Sequence, residues 1–324
     1  MAFSLAVGYV VDERSAIMKR DHHLERPPSR RSERTFLVHG VAVPAPPITA
    51  GLHVVATPIG NLGDVTLRAL SILTAADVVL AEDTRVSGIL LARYGIETPL
   101  SPYHEHNAAE ARPRALKRIA DGQALALISD AGTPLVSDPG FKLVAEALAA
   151  GFAVTTAPGA CAALAALCVA GLPTDRFFFE GFLPPRSAAR RERINALAAV
   201  PATLVLYEAP SRLAESLEDL ARELGPRPAA VARELTKLHE EVRRGTLAAL
   251  AAEFAEGETR GEIVVVVGPP PPREKVGEDA LDEEIRAALL TLSVKDAAAT
   301  VAAKHGLPRR QVYARALALA GQGR

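Results

Sequence analysis

From Gly51 onward, short apolar runs alternate with longer stretches rich in alanine and leucine. The runs with the β-branched and aromatic composition of strands are LHVVAT, DVVLAE, ALALIS, FAVTTA, RFFFEGF, ATLVLYE, PAAVARE and EIVVVVG. Helical patterns such as DVTLRALSILTAA and SRLAESLEDLARELG separate most of them. This alternation predicts an α/β fold with a largely parallel sheet, because parallel neighbours need a crossover connection.

The chain divides into four segments. GLPTDR at residues 171–176 indicates a linker, so we expect α/β domains over residues 51–172 and 173–270. Residues 278–324 show only helical patterns, and VKDAAATVAAKHGLPRRQVYARALALA is typical of a helix-turn-helix unit. Residues 1–50 lack a core-forming pattern and are predicted to be a disordered extension, with a basic arm for RNA as the alternative.

The composition argues against several classes of protein. The formal net charge of the 324 residues is −1, so any nucleic-acid contact must come from local basic patches. Two cysteines are too few for a disulfide framework or a four-cysteine zinc site, and Cys161 and Cys168 are predicted to be buried core thiols. No apolar run approaches the roughly 18 residues of a membrane helix, and the start lacks the basic region of a signal peptide. We therefore expect no membrane association.

Four loops at predicted strand ends concentrate residues that suit ligand binding. They are ATPIGNLGD (56–64), AEDTR (81–85), SDAGTPLVSDPG (129–140) and APGAC (157–161). Glycines let the backbone approach a ligand closely, and ligands of open α/β sheets bind at the carboxyl ends of strands. Each loop alone is also compatible with an ordinary turn, but together they predict a binding crevice. Dinucleotide, Walker A, zinc-protease and nucleophile-elbow motifs are absent from the sequence.

In this order, these loops and later motifs resemble a known family. TPIGNLGD, AEDTR, SDAGTPLVSDPG, PGACA, GLPTDRFFFEGFLP, YEAPSRL and ARELTKLHEE are similar to motifs of the bacterial 16S ribosomal RNA 2′-O-methyltransferase I family, of the tetrapyrrole methylase fold class. The likeness spans residues 51 to about 268, and the helical tail resembles the tail appended in this family. It implies two α/β domains with S-adenosylmethionine between them. It also implies a cytoplasmic homodimer that methylates a cytidine ribose of 16S rRNA in the small ribosomal subunit.

The resemblance also implies a cofactor site made from three of the strand-end loops. The implied residues are Thr57, Pro58 and Gly60 from the first loop, Asp130, Gly132, Thr133 and Pro134 from the third, and Pro158 and Gly159 from the fourth. The first loop differs from the V-G-x-G-P-G-D loop of tetrapyrrole methylases. That difference favours an RNA enzyme over a porphyrinoid C-methyltransferase, and a non-catalytic RNA-binding assembly factor is the second alternative.

A ribose hydroxyl is a weak nucleophile, so a base or a cation that eases its deprotonation should help. We predict Glu82, Asp83 and Arg85 as catalytic residues because they stand at a strand end. The alternative for the two carboxylates is capping of the helix that begins near Thr84. Further candidates are His104, His106 and Lys237. The two histidines have the spacing of a metal pair, but only Glu105 is nearby as a third ligand, so we expect no metal site.

Four arginines follow the run FFFEGF, in PPRSAARRERI: Arg186, Arg190, Arg191 and Arg193. This density predicts contacts to RNA phosphates. The alternative is the solvated face of an amphipathic helix. Arg233, Lys237, Arg243 and Arg244 are candidates for an extension of the same patch.

Overall fold

The computed structural model describes residues 34–271 and 277–322. Its first elements are an antiparallel hairpin of β1 (Thr35–Val38) and β2 (Val41–Pro44). His39 and Gly40 form the turn with φ of 49° and 81°, as a tight two-residue hairpin requires. Phe36 is buried against the first domain. The predicted disordered extension is therefore wrong for residues 35–44, while residues 1–33 lie outside the described part.

The first domain is a parallel sheet covered by helices on both faces. Its elements are β3 (Gly51–Val55), α1 (Leu67–Ala75), β4 (Val78–Ala81), α2 (Thr84–Arg93), β5 (Leu100–Pro102), α3 (Ala108–Ala120), β6 (Ala124–Leu127), α4 (Phe141–Ala149), β7 (Val154–Ala157) and α5 (Ala162–Ala170). The strand order is β5-β4-β6-β3-β7, and every pairing is parallel. Strands β3, β4 and β6 are buried throughout, because α1 and α2 pack on one face and α3 and α4 on the other.

The second domain has a mixed sheet. Its elements are β8 (Phe177–Phe182), α6 (Ser187–Leu197), β9 (Thr203–Glu208), α7 (Leu213–Leu224), β10 (Pro228–Arg233), β11 (Glu241–Thr246), α8 (Leu247–Ala255) and β12 (Ile263–Val267). The order is β11-β10-β12-β9-β8, and only β8 and β9 pair in parallel. The prediction of a largely parallel sheet is confirmed for the first domain and wrong for the second, where a short loop returns β10 directly into antiparallel β11.

The two domains share one apolar cluster. Helices α6, α7 and α8 cover one face of the second sheet. The other face packs on α5 of the first domain, where Ala166 and Leu167 contact the cluster that contains Val205 and Val264. Ile59 from the loop after β3 belongs to the same cluster. This shared core fixes the two sheets against each other and leaves a cleft beside α5.

The tail contains α9 (Glu278–Leu289), α10 (Val294–His305) and α11 (Arg309–Gln322). Gly306 ends α10 in the left-handed conformation with φ of 62°, which only glycine adopts without strain. Leu281, Ile285, Val301 and Val312 form its core. The predicted helix-turn-helix is thus confirmed, with α9 packed against it. Within the described ranges, no helix combines the length and apolar character needed to cross a membrane.

Candidate active site between the two domains

A cavity of about 380 Å³ lies between the two domains, a size usual for small-molecule sites. The first domain contributes Ile59 and the loop after β6, with Asp130, Gly132, Thr133, Ser137 and Asp138. The second domain contributes residues at the ends of β9, β10 and β12, among them Tyr207, Glu208, Leu235, Gly261 and Glu262. The predicted crevice is therefore present, but half of its wall comes from the second domain.

The walls of this cavity carry negative charge and no positive charge. Asp130, Asp138, Glu208 and Glu262 line it, and no lysine or arginine does so among the described residues. Most of the remaining lining side chains are apolar or aromatic. A cavity of this kind favours a ligand that has both an apolar body and a cationic group, and it disfavours anions.

Glu82 joins Asp130 and Asp138 in a group of mutually repelling carboxylates. Burial and the charges of Asp130 and Asp138 raise the pKa of Glu82. Burial likewise raises the pKa of Asp138, and the charge of Asp130 adds to this shift while a hydrogen bond from Ser129 opposes it. The backbone N–H of Asp83 donates to Oδ1 of Asp130 at 2.9 Å, which joins the loops after β4 and β6. The first-domain wall is thus a single hydrogen-bonded unit.

None of the three predicted catalytic residues lines the cavity. Asp83 caps α2 by accepting from the N–H of Arg85 at 2.8 Å, which is the capping alternative raised by the sequence. The Arg85 side chain is 89% exposed and pairs with Asp83 at 2.6 Å, and its hydrogen bonds lower the pKa of Asp83 to about 2. Glu82 is the member of the trio that adjoins the carboxylates of the cavity.

The loop after β6 depends on one glycine at the cavity wall. Gly132 has φ of 83°, and its N–H and C=O pair with the backbone of Thr57 at 3.1 and 2.8 Å. Thr57 is buried and also donates from its hydroxyl to Ser129 O at 3.2 Å. Thr133 donates to Ala160 O at 3.0 Å, which ties the loop to the fourth strand-end loop. The four loops predicted from the sequence therefore meet.

The predicted cofactor residues divide into lining and supporting positions. Asp130, Gly132 and Thr133 line the cavity. The others lie behind or beside it: Thr57, Pro58, Gly60, Pro134, Pro158 and Gly159. A Cβ on Gly159 would stand 2.9 Å from Cβ of Ala56, so this glycine allows two loops to pack closely. Binding of the cofactor by these residues stays a prediction.

The family resemblance also implies that ARELTK (232–237) and GEIV (261–264) supply walls from the second domain, and residues of both segments line the cavity. The part of this wall at the end of β9 was not singled out from the sequence. Tyr207 stacks edge-to-face on Phe179 and Phe182, with ring centroids 5.0 and 5.6 Å away. Burial, with Cys161 nearby, raises the pKa of Tyr207 to about 12, so its hydroxyl keeps its proton. Glu208 is buried and accepts from Ser216 at 2.6 Å and from Arg212 at 2.7 Å. The motif YEAPSRL contains Tyr207, Glu208 and Arg212, and it was the available signal.

The arginines after β8 are mostly engaged within the protein. Arg190 is 1% exposed, and its Nε donates to Asp219 at 2.7 Å across α6 and α7. Its prediction as a phosphate contact is therefore wrong. Arg193 makes two hydrogen bonds to Glu180, at 2.5 and 2.6 Å. Arg186 is exposed and Arg191 half-buried, and in the described part of the chain neither forms an ion pair.

The further candidates of the sequence are placed as follows. Arg233 and Arg243 both pair with Glu241, and Arg244 donates to Val169 O. His104 and His106 lie edge-to-face at 6.1 Å. Across residues 34–271 and 277–322, no group of three or more potential ligands is arranged to hold a metal ion. Cys161 lines the cavity and Cys168 is exposed at the surface of α5, so the prediction of two buried thiols is wrong.

Comparison with known proteins identifies the family. A sequence profile of the Tetrapyrrole (Corrin/Porphyrin) Methylases matches residues 51–251, and one of the RsmI C-terminal HTH domain matches residues 275–320. The ribosomal RNA small subunit methyltransferase I of Mesorhizobium japonicum is 50% identical over 87% of this chain and 97% of its own length. The protein of the same name from Pseudomonas aeruginosa is 48% identical over 84% and 98%. This chain belongs to the ribosomal RNA small subunit methyltransferase I family.

Solved structures agree on the fold of this family member. Uroporphyrin-III-C-methyltransferase from Thermus thermophilus superposes with a TM-score of 0.50 at 25% identity, over 68% of this chain and 94% of that one. Diphthine synthase gives 0.54 at 18% identity, over 67% and 89%, and shows the fold alone. The resemblance to methyltransferase I motifs, the fold class and the assignment as an enzyme are thus confirmed. The alternatives of a porphyrinoid enzyme and a non-catalytic factor lose their support.

Proposed function

We propose that this protein transfers the methyl group of S-adenosylmethionine to the 2′-hydroxyl of a cytidine ribose in 16S rRNA of the small ribosomal subunit. The observation that carries the proposal is the cavity lining, in which Arg212 pairs with Glu208 and Lys237 with Glu262, while Asp130 and Asp138 add negative charge and no described lysine or arginine lines the walls. S-adenosylmethionine has a positive sulfonium, an ammonium group and an apolar purine, so both its charge and its shape suit these walls. The many carboxylates of a porphyrinoid would be repelled there.

The residues of the cavity fit this cofactor in kind. Asp130 and Asp138 supply negative charge, Gly132 lets the backbone come close, and Tyr207 and Leu235 supply apolar wall. When bound, the cofactor supplies an electrophilic methyl group. The protein must then hold the ribose oxygen in line at roughly 3 to 3.5 Å from it. Burial raises the pKa values of Glu82 and Asp138, so these groups are stronger proton acceptors than ordinary carboxylates, and Asp138 lines the cavity.

The RNA backbone belongs outside the cavity, because the carboxylates repel phosphates. Among the described residues, Arg186 and Arg191 form no ion pair and provide positive charge at the second domain. Arg309 and Arg310 are exposed at the start of α11 and form no ion pair within the described tail. Three acidic residues of α9 form ion pairs with Arg315 and Lys304, which leaves less negative charge on the tail. These two arginine pairs are the proposed phosphate contacts.

The cytoplasm is the proposed location, since ribosomal RNA is the proposed substrate.

We also infer that the protein forms a homodimer through β8 and α5. Strand β8 is an edge of its sheet, and its residues Phe177 and Phe178 are 46% and 38% exposed. Leu164 of α5 is 48% exposed. Large exposed apolar side chains on an open sheet edge favour a partner that covers them. Sedimentation of wild type and of Phe177→Asp at several concentrations would test this.

Three measurements test the proposed reaction in sequence. Calorimetry of the purified protein with S-adenosylmethionine should give one site per chain. Tritiated cofactor should then label the 16S rRNA of small subunits from a strain lacking the enzyme. Mass spectrometry of the digested RNA should recover one 2′-O-methylcytidine. Label on a base, or transfer to a porphyrinoid in place of RNA, would contradict the proposal.

A further inference from the structure

Gly60 and Lys237 meet across the domain boundary at the rim of the cavity. Gly60 follows Ile59, which lines the cavity from the first domain, and Lys237 belongs to the loop after β10 in the second. The aliphatic chain of Lys237 lies flat on Gly60. A Cβ there would come within 2.4 Å of Cγ and 2.6 Å of Cε of the lysine. Position 60 therefore has no room for a larger residue, because the side chain of Lys237 from the other domain packs directly against it.

The ammonium group of Lys237 holds two carboxylates of its own domain. Its Nζ lies 2.8 Å from Oε1 of Glu234 and 3.3 Å from Oε2 of Glu262. Burial opposes the charge of Lys237, but these carboxylates outweigh it and raise the pKa. The side chain therefore keeps its proton and cannot serve as a general base. Its contribution must come from what it holds in place.

A second glycine accommodates the partner of Lys237. A Cβ on Gly261 would stand 2.5 Å from Cγ of Glu234, so the glutamate lies flat on Gly261 as the lysine lies on Gly60. Oε1 of Glu234 also accepts from the N–H of Glu262 at 2.9 Å. Gly261 and Glu262 line the cavity. We call these five residues, Gly60, Glu234, Lys237, Gly261 and Glu262, the Lys237 clamp.

The backbone of this loop is held in a conformation that its residues disfavour. Glu234 has φ of 50° and Thr236, a β-branched residue, has φ of 67°. Thr236 is kept there by its N–H, which donates to the carboxylate of Glu240 at 2.6 Å. Strained backbone of this kind persists where the surrounding structure requires it, and it concentrates at ligand sites.

We propose that Lys237 is a positioning residue that fixes the second-domain wall of the cofactor cavity against the first domain. The aliphatic chain of Lys237 packs on Gly60, and its ammonium group holds Glu234 through an ion pair. Glu234 in turn accepts a hydrogen bond from the N–H of Glu262 at the cavity edge. That the cavity binds S-adenosylmethionine rests on the proposed function, whereas the Lys237 clamp is present in the protein without a ligand. If both hold, cofactor affinity depends on Lys237 although this residue does not line the cavity.

The first test compares Lys237→Met with Lys237→Arg, and uses Lys117→Met as a matched control. Lys117 is an exposed, ion-paired lysine on α3, away from the cavity lining. In the free protein, Lys237→Met should speed hydrogen exchange of the Glu262 amide about tenfold. Calorimetry should show S-adenosylmethionine affinity falling by a similar factor. Lys237→Arg should recover part of both effects, and Lys117→Met should change neither.

The second test is a double-mutant cycle between Gly60→Ala and Lys237→Ala. Gly60 has φ of 144°, so alanine is strained there in either background and this cost cancels in the cycle. The Lys237→Ala background lacks the three atoms nearest to the new methyl group, which are Cγ, Cδ and Cε of Lys237. Gly60→Ala should then reduce affinity at least fivefold less than it does in the wild type.

The outcomes separate the clamp from the proposed function. Faster exchange at Glu262 with unchanged cofactor affinity, or additive effects in the cycle, would overturn the positioning role. Unchanged exchange in Lys237→Met would overturn the clamp itself. If the wild type does not bind S-adenosylmethionine, the proposed function fails. The exchange rates and a cycle measured on thermal stability would still decide whether Lys237 and Gly60 are coupled.

Discussion

The two domains build facing walls of one cavity by different means. The first domain uses backbone: Gly132 and Thr57 pair main chain to main chain, and the carboxyl ends of its parallel strands all meet at one edge. The second domain uses ion-paired side chains, such as Glu208 with Arg212 and Lys237 with Glu234. The antiparallel strands of the second sheet deliver its loops from both directions. We therefore expect the first wall to be disrupted mainly by added methyl groups and the second wall mainly by the loss of charged side chains.

The largest effect is expected from a buried ion pair of the second domain. Arg190→Met leaves the carboxylate of Asp219 without its partner, and we expect a loss of about 3–5 kcal/mol in the free energy of unfolding. Arg222→Met removes a solvated pair with Glu218 on α7 and should cost less than about 1 kcal/mol. Urea denaturation of both variants measures the difference. Equal losses would show that the second domain does not depend on buried charge.

In the first domain, a single methyl group added to a glycine of the cavity wall should be enough to weaken cofactor binding. Gly132→Ala places a Cβ at φ of 83° and 3.2 Å from Cγ2 of Ile59, so we expect roughly 100-fold weaker binding of S-adenosylmethionine. Gly151→Ala is the matched control, because Gly151 has φ of 78° but open space around it. Calorimetry on both variants separates loss of the cavity wall from backbone strain. If they bind equally well, Gly132 does not shape the site.

The carboxylates of the first wall should make binding sensitive to pH. As the pH falls towards the raised pKa values of Glu82 and Asp138, protonation removes the negative charge that attracts a cationic ligand, and affinity should decrease. The same raised pKa values stabilise the folded protein on acidification, because the fold binds these protons more tightly than the unfolded chain does. Carboxylates with lowered pKa values, such as Asp83 and Glu234, act in the opposite sense, so the melting temperature should be measured beside the affinity at each pH.

Asp138→Asn is the variant that checks this pH dependence. We expect about tenfold weaker binding at pH 8 and a flatter profile down to about pH 5. A profile as steep as that of the wild type would assign the titration to another group.

RNA binding should depend on the free arginines and not on the paired ones. Neutralising Arg186 and Arg191 should lower the slope of log affinity against log salt by about 1.4 to 1.8, at about 0.7 to 0.9 for each phosphate contact. Arg193→Gln should change it less, because Arg193 already binds Glu180. Filter binding to 16S rRNA over a salt series gives both slopes. A slope unchanged in the double variant would shift the footprint to Arg309 and Arg310.

The smallest effect is expected from deletion of the first 33 residues. Residues 1–33 lack a core-forming pattern in the sequence, so the melting temperature should hardly change when they are deleted. Deletion through residue 46 removes Phe36 from the core and Arg34 from the carbonyl groups that end α1. It should cost about 3 kcal/mol, as for other buried phenylalanines. Equal melting temperatures would show that the hairpin adds nothing to the first domain.

The strands and the first wall were predictable from sequence because their signals are local. Each buried strand is an apolar run in the sequence, and each strand-end loop carries a glycine, a carboxylate or both. Strands β5 and β11 were missed because one has three residues and the other, EVRRGT, is largely polar. The burial of Arg190 was missed because its partner Asp219 is 29 residues away in sequence. Pairings over such distances are set by packing, which residue patterns do not record.

The Lys237 clamp bears on how this protein can change by mutation. Gly60 is confined to glycine while a long side chain occupies position 237, and position 261 is confined in the same way by Glu234. A first substitution at either glycine is therefore obstructed, whereas the same substitution becomes easier once the facing side chain has shortened. Variants that alter this rim are expected to arise in a fixed order, with the side chain shortened before the glycine is replaced. In selection experiments, libraries that first mutate Gly60 or Gly261 should yield few functional variants. Libraries that first mutate Lys237 or Glu234 should yield more.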